Sequence, residues 1–133
     1  MTKREGELKS AVMEELKRQL PNFLVLQIAT AGAADRAIVG AGRTTFWEFK
    51  HGTPNFESLG LQQLMCMRLD AQCYCRYVIW EENKFGQCKR TIIVHPKYIS
   101  TFGKADSVSI LEAWCVGFDH RWLVEQIKQA HRL

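Results

Sequence analysis

Residues 44–50, Thr-Thr-Phe-Trp-Glu-Phe-Lys, constrain the fold of this 133-residue chain more than any other stretch. β-Branched and aromatic residues dominate the segment, a composition that suits a packed, pleated strand. Alternate side chains of a strand leave opposite faces, so Trp47 and Phe49 share one face and Glu48 and Lys50 the other. The aromatic pair supplies burial. A carboxylate and an ammonium in the middle of such a strand need partners, either each other or something bound.

The surrounding chain alternates helical and extended patterns. Leu8, Val12, Leu16 and Leu20 recur every four residues, which predicts an amphipathic helix over 4–20 that ends at Pro21-Asn22. The apolar run 23–29 reads as a buried strand. A small-residue stretch, Thr30 to Ala34, follows, where the backbone can turn sharply. Asp35 opens a second strand, and the turn Gly40-Ala41-Gly42 joins it to the 44–50 strand as an antiparallel hairpin. His51 to Phe56 reads as a loop. A helix over 58–71 comes next, carrying Leu61, Leu64, Met65, Met67 and Leu69, and then strands around 73–80 and 88–94. Pro96 and Gly103 bracket irregular chain, a short helix is expected over Ser107–Cys115, and Asp119 is a good N-cap for a last helix reaching Ala130. The fold class expected is α/β: an αβββαβ core, a mixed central sheet flanked by helices, and C-terminal β and α additions. One domain spanning 1–133 accounts for all of it, since a chain of this size builds a single core.

Composition excludes several classes. With 47% hydrophobic and 24% charged residues, the chain reads as globular rather than disordered. No stretch is long and apolar enough to cross a bilayer, and Thr2-Lys3-Arg4-Glu5 does not open a signal peptide. Cys66, Cys73, Cys75, Cys88 and Cys115 are odd in number and contain no CxxC pair, so reduced thiols and a cytoplasmic location are expected. A net charge of +4 is compatible with a phosphate-rich partner.

Asp35, at the start of the neighbouring strand, brings a second carboxylate toward Glu48. Two hard oxygen donors with room for water suit magnesium. The chemistry such a pair permits is phosphodiester hydrolysis, with Lys50 orienting the attacking water or offsetting charge on the pentacovalent state. Glu-x-Lys on most strands is a solvated face, and a lone Asp is an ordinary turn residue. What singles these three out is their combined order: helix, strand, Gly-rich turn, Asp at a strand start, hairpin, Glu-x-Lys, helix.

These residues resemble the PD-(D/E)XK nuclease superfamily, and within it the virus-type replication-repair nuclease (VRR-NUC) domains and archaeal-type Holliday junction resolvases. The matching segments are Ala34-Asp35-Arg36 in place of Pro-Asp-Arg, then Trp47-Glu48-Phe49-Lys50-His51-Gly52, then Ser58 to Gln62 opening a helix. The resemblance implies a restriction-endonuclease-like fold. It implies Mg2+ (with Mn2+ able to substitute) held by Asp35, Glu48 and the backbone carbonyl of Phe49, with Lys50 as the catalytic lysine. It also implies a glutamine on the following helix, where Gln62 fits first and Gln63 second, and a glutamate on the first helix. Helical phase puts Glu5 first and Glu15 second for that role, while Glu7 and Glu14 point away. Ala34 departs from the family's proline but removes no chemical group.

The activity implied is cleavage of DNA at branched or structured sites such as junctions or flaps. A restriction-type or nonspecific nuclease, a catalytically inactive nucleic-acid binder and an α/β domain with a plain Glu48–Lys50 ion pair are the alternatives. His51 is a candidate phosphate contact and otherwise a loop histidine. Arg36 and Arg43 are candidate backbone contacts near the cleft. Lys3, Arg4, Lys9, Lys17 and Arg18 make the first helix basic, which reads as a solvated face. His95, His120 and His131 lack ligand spacing. Trp114, Phe118, Trp122, Leu123 and Ile127 either complete the core or form a homodimer interface.

Overall fold

The computed structural model describes residues 3–28, 34–52, 60–100 and 110–133. Their order is α1 (Lys3–Gln19), β1 (Leu24–Gln27), β2 (Arg36–Gly40), β3 (Arg43–Gly52), α2 (Gly60–Gln72), β4 (Cys75–Glu82), β5 (Cys88–Val94), a 3-10 turn (Pro96–Tyr98), β6 (Ala113–Val116) and α3 (His120–Ala130). The six strands form one mixed sheet in sequential order, β1-β2-β3-β4-β5-β6. Every neighbouring pair is antiparallel except β3 and β4, which run parallel and are connected through α2. A parallel pair requires such a crossover, and this one sets β3 in the middle of the sheet.

The hairpin between β2 and β3 closes on two residues, Ala41 (φ 53°) and Gly42 (φ 75°). Positive φ at both turn positions matches the twist of the flanking strands. It also fixes the register Gly40↔Arg43 through Arg36↔Trp47.

Period-two alternation in the strands separates two cores. On one face, Trp47 and Phe49 of β3 and Val78 and Trp80 of β4 pack beneath Leu8, Val12 and Leu16 of α1 and Leu123, Val124 and Ile127 of α3. Phe49 and Trp80 stack with ring centroids 5.3 Å apart. On the other face, Cys75, Tyr77, Ile79, Ile92 and Val94 pack with Cys66 of α2 and Ile99. Glu48 belongs to this second face, in ladder register with Tyr77. Asp119 caps α3, accepting from the backbone N–H groups of Arg121 and Trp122.

Four expectations of the secondary structure change. β1 is an edge strand rather than a buried one: Leu24 and Leu26 are exposed, with a strand neighbour on one side only and no helix among the described residues packed over them. Residues 113–116 form a strand and not a helix; the alternation of half-buried Ala113 and Cys115 with exposed Trp114 and Val116 is a strand pattern that a search for helical spacing overlooks. His51 and Gly52 continue β3 rather than opening a loop, and the strand expected around 73–80 begins at Cys75. The turn at 30–33, the loop at 53–56, Ser58, Gly103 and the start of the helix expected at Ser107 lie outside the described residues. No disulfide joins any of the five cysteines, all of which lie among the described residues. No helix among the described residues is long and apolar enough to cross a membrane.

Candidate active site

Asp35 reaches β3 because β2 begins one residue after it. The antiparallel ladder ends at Arg36↔Trp47, so beyond that point β3 must find other partners for its backbone. Asp35 Oδ2 supplies one, accepting the N–H of Phe49 at 2.8 Å. A residue's N–H and C=O leave the same edge of a strand, so the Phe49 carbonyl faces the same side as Asp35.

Glu48 is 4% exposed, beneath α2. Lys50 Nζ lies 3.4 Å from Glu48 Oε1. Gln62, in the first turn of α2, donates its Nε2–H to the same oxygen at 3.0 Å. The chain's crossover between parallel strands thus delivers a helix side chain onto the Glu-x-Lys face.

Burial pushes the Glu48 carboxyl up to about 8, and the negative charge of Asp35 adds to the rise against the opposing pull of Lys50. Its other oxygen, Oε2, is buried with no hydrogen-bond partner among the described residues, and so is Oε1 of Gln62. Buried acceptors without partners call for an explanation. A cation beside two carboxylates supplies one, since it reverses the like-charge penalty and fills the unused lone pairs. Among the described residues no three His, Cys, Asp or Glu side chains cluster as a metal-holding group. A divalent ion here would therefore rest on Asp35, Glu48, the Phe49 carbonyl and water, a hard-oxygen set suited to magnesium.

The first-helix candidates separate cleanly. Glu5 pairs with Lys9 Nζ at 3.8 Å, and that ammonium lies 3.4 Å from Asp35 Oδ1, so Glu5 stands at the edge of the site. Glu15 sits at the α1–α3 seam, hydrogen-bonded to Arg18 and Gln19 and within 3.7 Å of Arg121 Nε. The Arg18 hydrogen bonds hold its carboxyl down at about 2. The glutamines also separate: Gln63 donates to the Pro96 carbonyl and braces the 3-10 turn instead.

Arg36 borders the site, its Nη1 donating to the Asp35 carbonyl at 3.0 Å. Arg43 does not. It lies at the hairpin turn, lining a pocket with His131, Arg132 and Leu133 at the opposite end of β3 from the carboxylates. His51 Nε2 lies 3.7 Å from Glu82 Oε2. His95 bonds Asp70 at 2.7 Å, and His131 is buried against Thr45 and Gly40.

Lys9 also departs from expectation. It is 4% exposed and not on a solvated face. The signal was present: at about 100° per residue, Lys9 falls about 20° from Leu16 and about 40° from Glu5, inside the apolar stripe of α1. Its charge suits the surface and its phase the core. Leu123, Val124 and Ile127 complete the α1–α3 core with Phe118 and Trp122 against them, whereas Trp114 remains exposed on β6.

In comparisons with known proteins, no family model and no curated protein sequence matches this chain.

Proposed function

We propose that this chain is a magnesium-dependent endonuclease that hydrolyses DNA phosphodiester bonds at branched or structured sites, on a PD-(D/E)XK-type, restriction-endonuclease-like core. The observation that carries the reading is the convergence of Asp35, Glu48, Lys50 and Gln62 around buried carboxylate and amide oxygens that have no hydrogen-bond partner among the described residues. The branched substrate and the choice of DNA rest on the family resemblance of the Ala34–Arg36 and Trp47–Gly52 segments.

The residues would divide the work as follows. Asp35 and Glu48 would hold a divalent cation with the Phe49 carbonyl. When bound, that cation supplies Lewis acidity toward a phosphoryl oxygen and acidifies an attacking water. To hold the ion, Glu48 would give up the proton that burial favours, which would supply the site's second negative charge. Lys50, on β3 with its side chain 20% exposed, can hold the water or offset charge on the pentacovalent phosphorus. Gln62 keeps Glu48 Oε1 turned toward Lys50, leaving Oε2 for the ion.

A second reading also has an observation behind it: each carboxylate already carries an ammonium, Lys50 on Glu48 and Lys9 on Asp35. On that reading the cluster is structural and binds no cation. Incubating the protein with a four-way junction, a flap and a linear duplex, with and without Mg2+, separates the readings. The nuclease reading expects Mg2+-dependent cuts on the branched substrates ahead of the duplex. Cutting of all three alike points to a restriction-type or nonspecific enzyme, and absence of cutting with Mg2+ or Mn2+ points to a binding or structural domain.

A further inference from the structure

We propose that Lys9 is a displaceable counter-cation of the carboxylate site: it compensates Asp35 before a divalent ion arrives, yields Asp35 Oδ1 when the ion binds, and so sets the affinity for that ion. This deepens the metal-dependent reading above and rests on it.

A lysine ammonium is rarely buried, and one that is must be paired. Lys9 meets that requirement with two carboxylates, Glu5 at 3.8 Å and Asp35 at 3.4 Å. Both distances exceed those of a tight charge-assisted hydrogen bond, about 2.7–2.9 Å. The ammonium is shared between them and locked to neither. Asp35, by contrast, is anchored on its other side, where Oδ2 takes the Phe49 N–H at 2.8 Å. One oxygen of Asp35 is therefore fixed to the strand while the other is covered by a flexible side chain that has an alternative partner four residues back on its own helix.

Charge favours competition: Lys9 places a unit positive charge 3.4 Å from the Asp35 oxygen that a divalent ion would need. Space supports exchange. Lys9 lines a groove of about 840 Å³ between α1 and the β1–β2 edge, together with Gly6, Ser10, Gln27 and Arg36. The side chain can move away from Asp35 into that groove while keeping Glu5 within reach. Lys9 is then a positioning residue: it acts through Asp35, holding the carboxylate in place and competing with the ion for it.

A merely structural lysine and a competing one make opposite forecasts. Titration of wild type, K9M and K9R with Mn2+ by calorimetry, with thermal melts of each protein with and without Mn2+, distinguishes them. Removing a neighbouring unit charge should tighten Mn2+ binding by about tenfold in K9M, while K9R, which keeps the charge, stays near wild type. Without Mn2+, K9M should melt lower than wild type, and Mn2+ should raise its melting temperature by more than it raises that of wild type. A K9M that will not fold is replaced by K9Q, for which the same result is expected; folding only in the presence of Mn2+ is the same result in its extreme form. Wild type that binds Mn2+ alongside a K9M that binds it equally or more weakly overturns the proposal and leaves the nuclease reading standing. If wild type and K9M both fail to bind Mn2+, the metal reading itself has failed and this proposal falls with it.

Discussion

The backbone N–H of Phe49 donates to Asp35 Oδ2 at 2.8 Å, so an aspartate just outside one strand is hydrogen-bonded to the middle of the next. That bond continues the β2–β3 pairing past the last ladder pair, Arg36↔Trp47. It is the reason that a residue 13 positions before Glu48 in the chain shares its site.

Asp35→Ala should therefore damage stability and cation binding together. It orphans a strand N–H and leaves Lys9 with Glu5 as its carboxylate, a loss of about 1–3 kcal/mol. Asp35→Asn keeps an oxygen that can accept from Phe49 and should recover much of the stability without the cation affinity. Urea denaturation and Mn2+ titration of the two variants check both halves.

Gln62 and Gln63 are adjacent but serve different partners, Glu48 and the Pro96 carbonyl respectively. Gln62→Ala should lower Mg2+-dependent cleavage with little change in folding. Gln63→Ala should spare cleavage and lower stability by about 1 kcal/mol. Single-turnover cleavage rates and denaturation midpoints of the pair test this assignment.

The pH dependence of the metal-free protein follows from Glu48. Its folded carboxyl titrates at about 8 against an ordinary 4.5. The folded state binds the proton more tightly, so this contribution to stability is fully present below about 4.5 and is lost as pH rises toward 8. Glu48→Gln, which cannot ionise, should match wild type at the acid end and exceed it by a few kcal/mol above pH 8. Denaturation midpoints across that range, measured in a chelator, give the answer; parallel curves would mean that Glu48 is already ionised in the folded protein.

At the far end of β3, His131 is 2% exposed and joins the chain's end to the hairpin. Thr45 Oγ1 lies 2.8 Å from its Nε2 and the Gly40 carbonyl 3.0 Å from its Nδ1, while Trp47 donates its indole N–H to the Thr45 hydroxyl. A neutral ring donating from Nδ1 and accepting at Nε2 satisfies every member. Burial pulls the imidazole below its ordinary 6.5. The sign is the reverse of that for Glu48: the contribution is present above 6.5 and is lost as pH falls below it. His131→Ala should cost about 1–3 kcal/mol at pH 7.5 and a smaller amount at pH 5. Equal losses at both pH values would contradict the neutral-ring network.

Much of this architecture is legible in the residues. The period of two in Trp47-Glu48-Phe49-Lys50 gives the faces of β3, the spacing of Leu8, Val12 and Leu16 gives the buried side of α1, and Asp119 marks the start of α3. What sequence does not carry is context across the sheet. Leu24 and Leu26 look like core residues, and only the strand order reveals that they stand on the edge of the sheet. Arg43 is close to Glu48 in sequence, but an extended strand carries them apart at about 3.3 Å per residue. Gln62 and Gln63 differ by one helical step, which no composition argument separates, yet that step decides which of them reaches Glu48. Lys9 is the instructive case. Its phase is that of a core residue and its chemistry that of a surface one, and such conflicts between local rules are expected at functional sites.

Cleavage of a four-way junction by wild type and Lys50→Ala, each with and without Mg2+, tests the central claim most directly. The account predicts that wild type cuts with Mg2+ and not without it, and that Lys50→Ala loses about a hundredfold or more of the rate while remaining folded. Equal cutting by the two proteins, or cutting by wild type that ignores Mg2+, would contradict it.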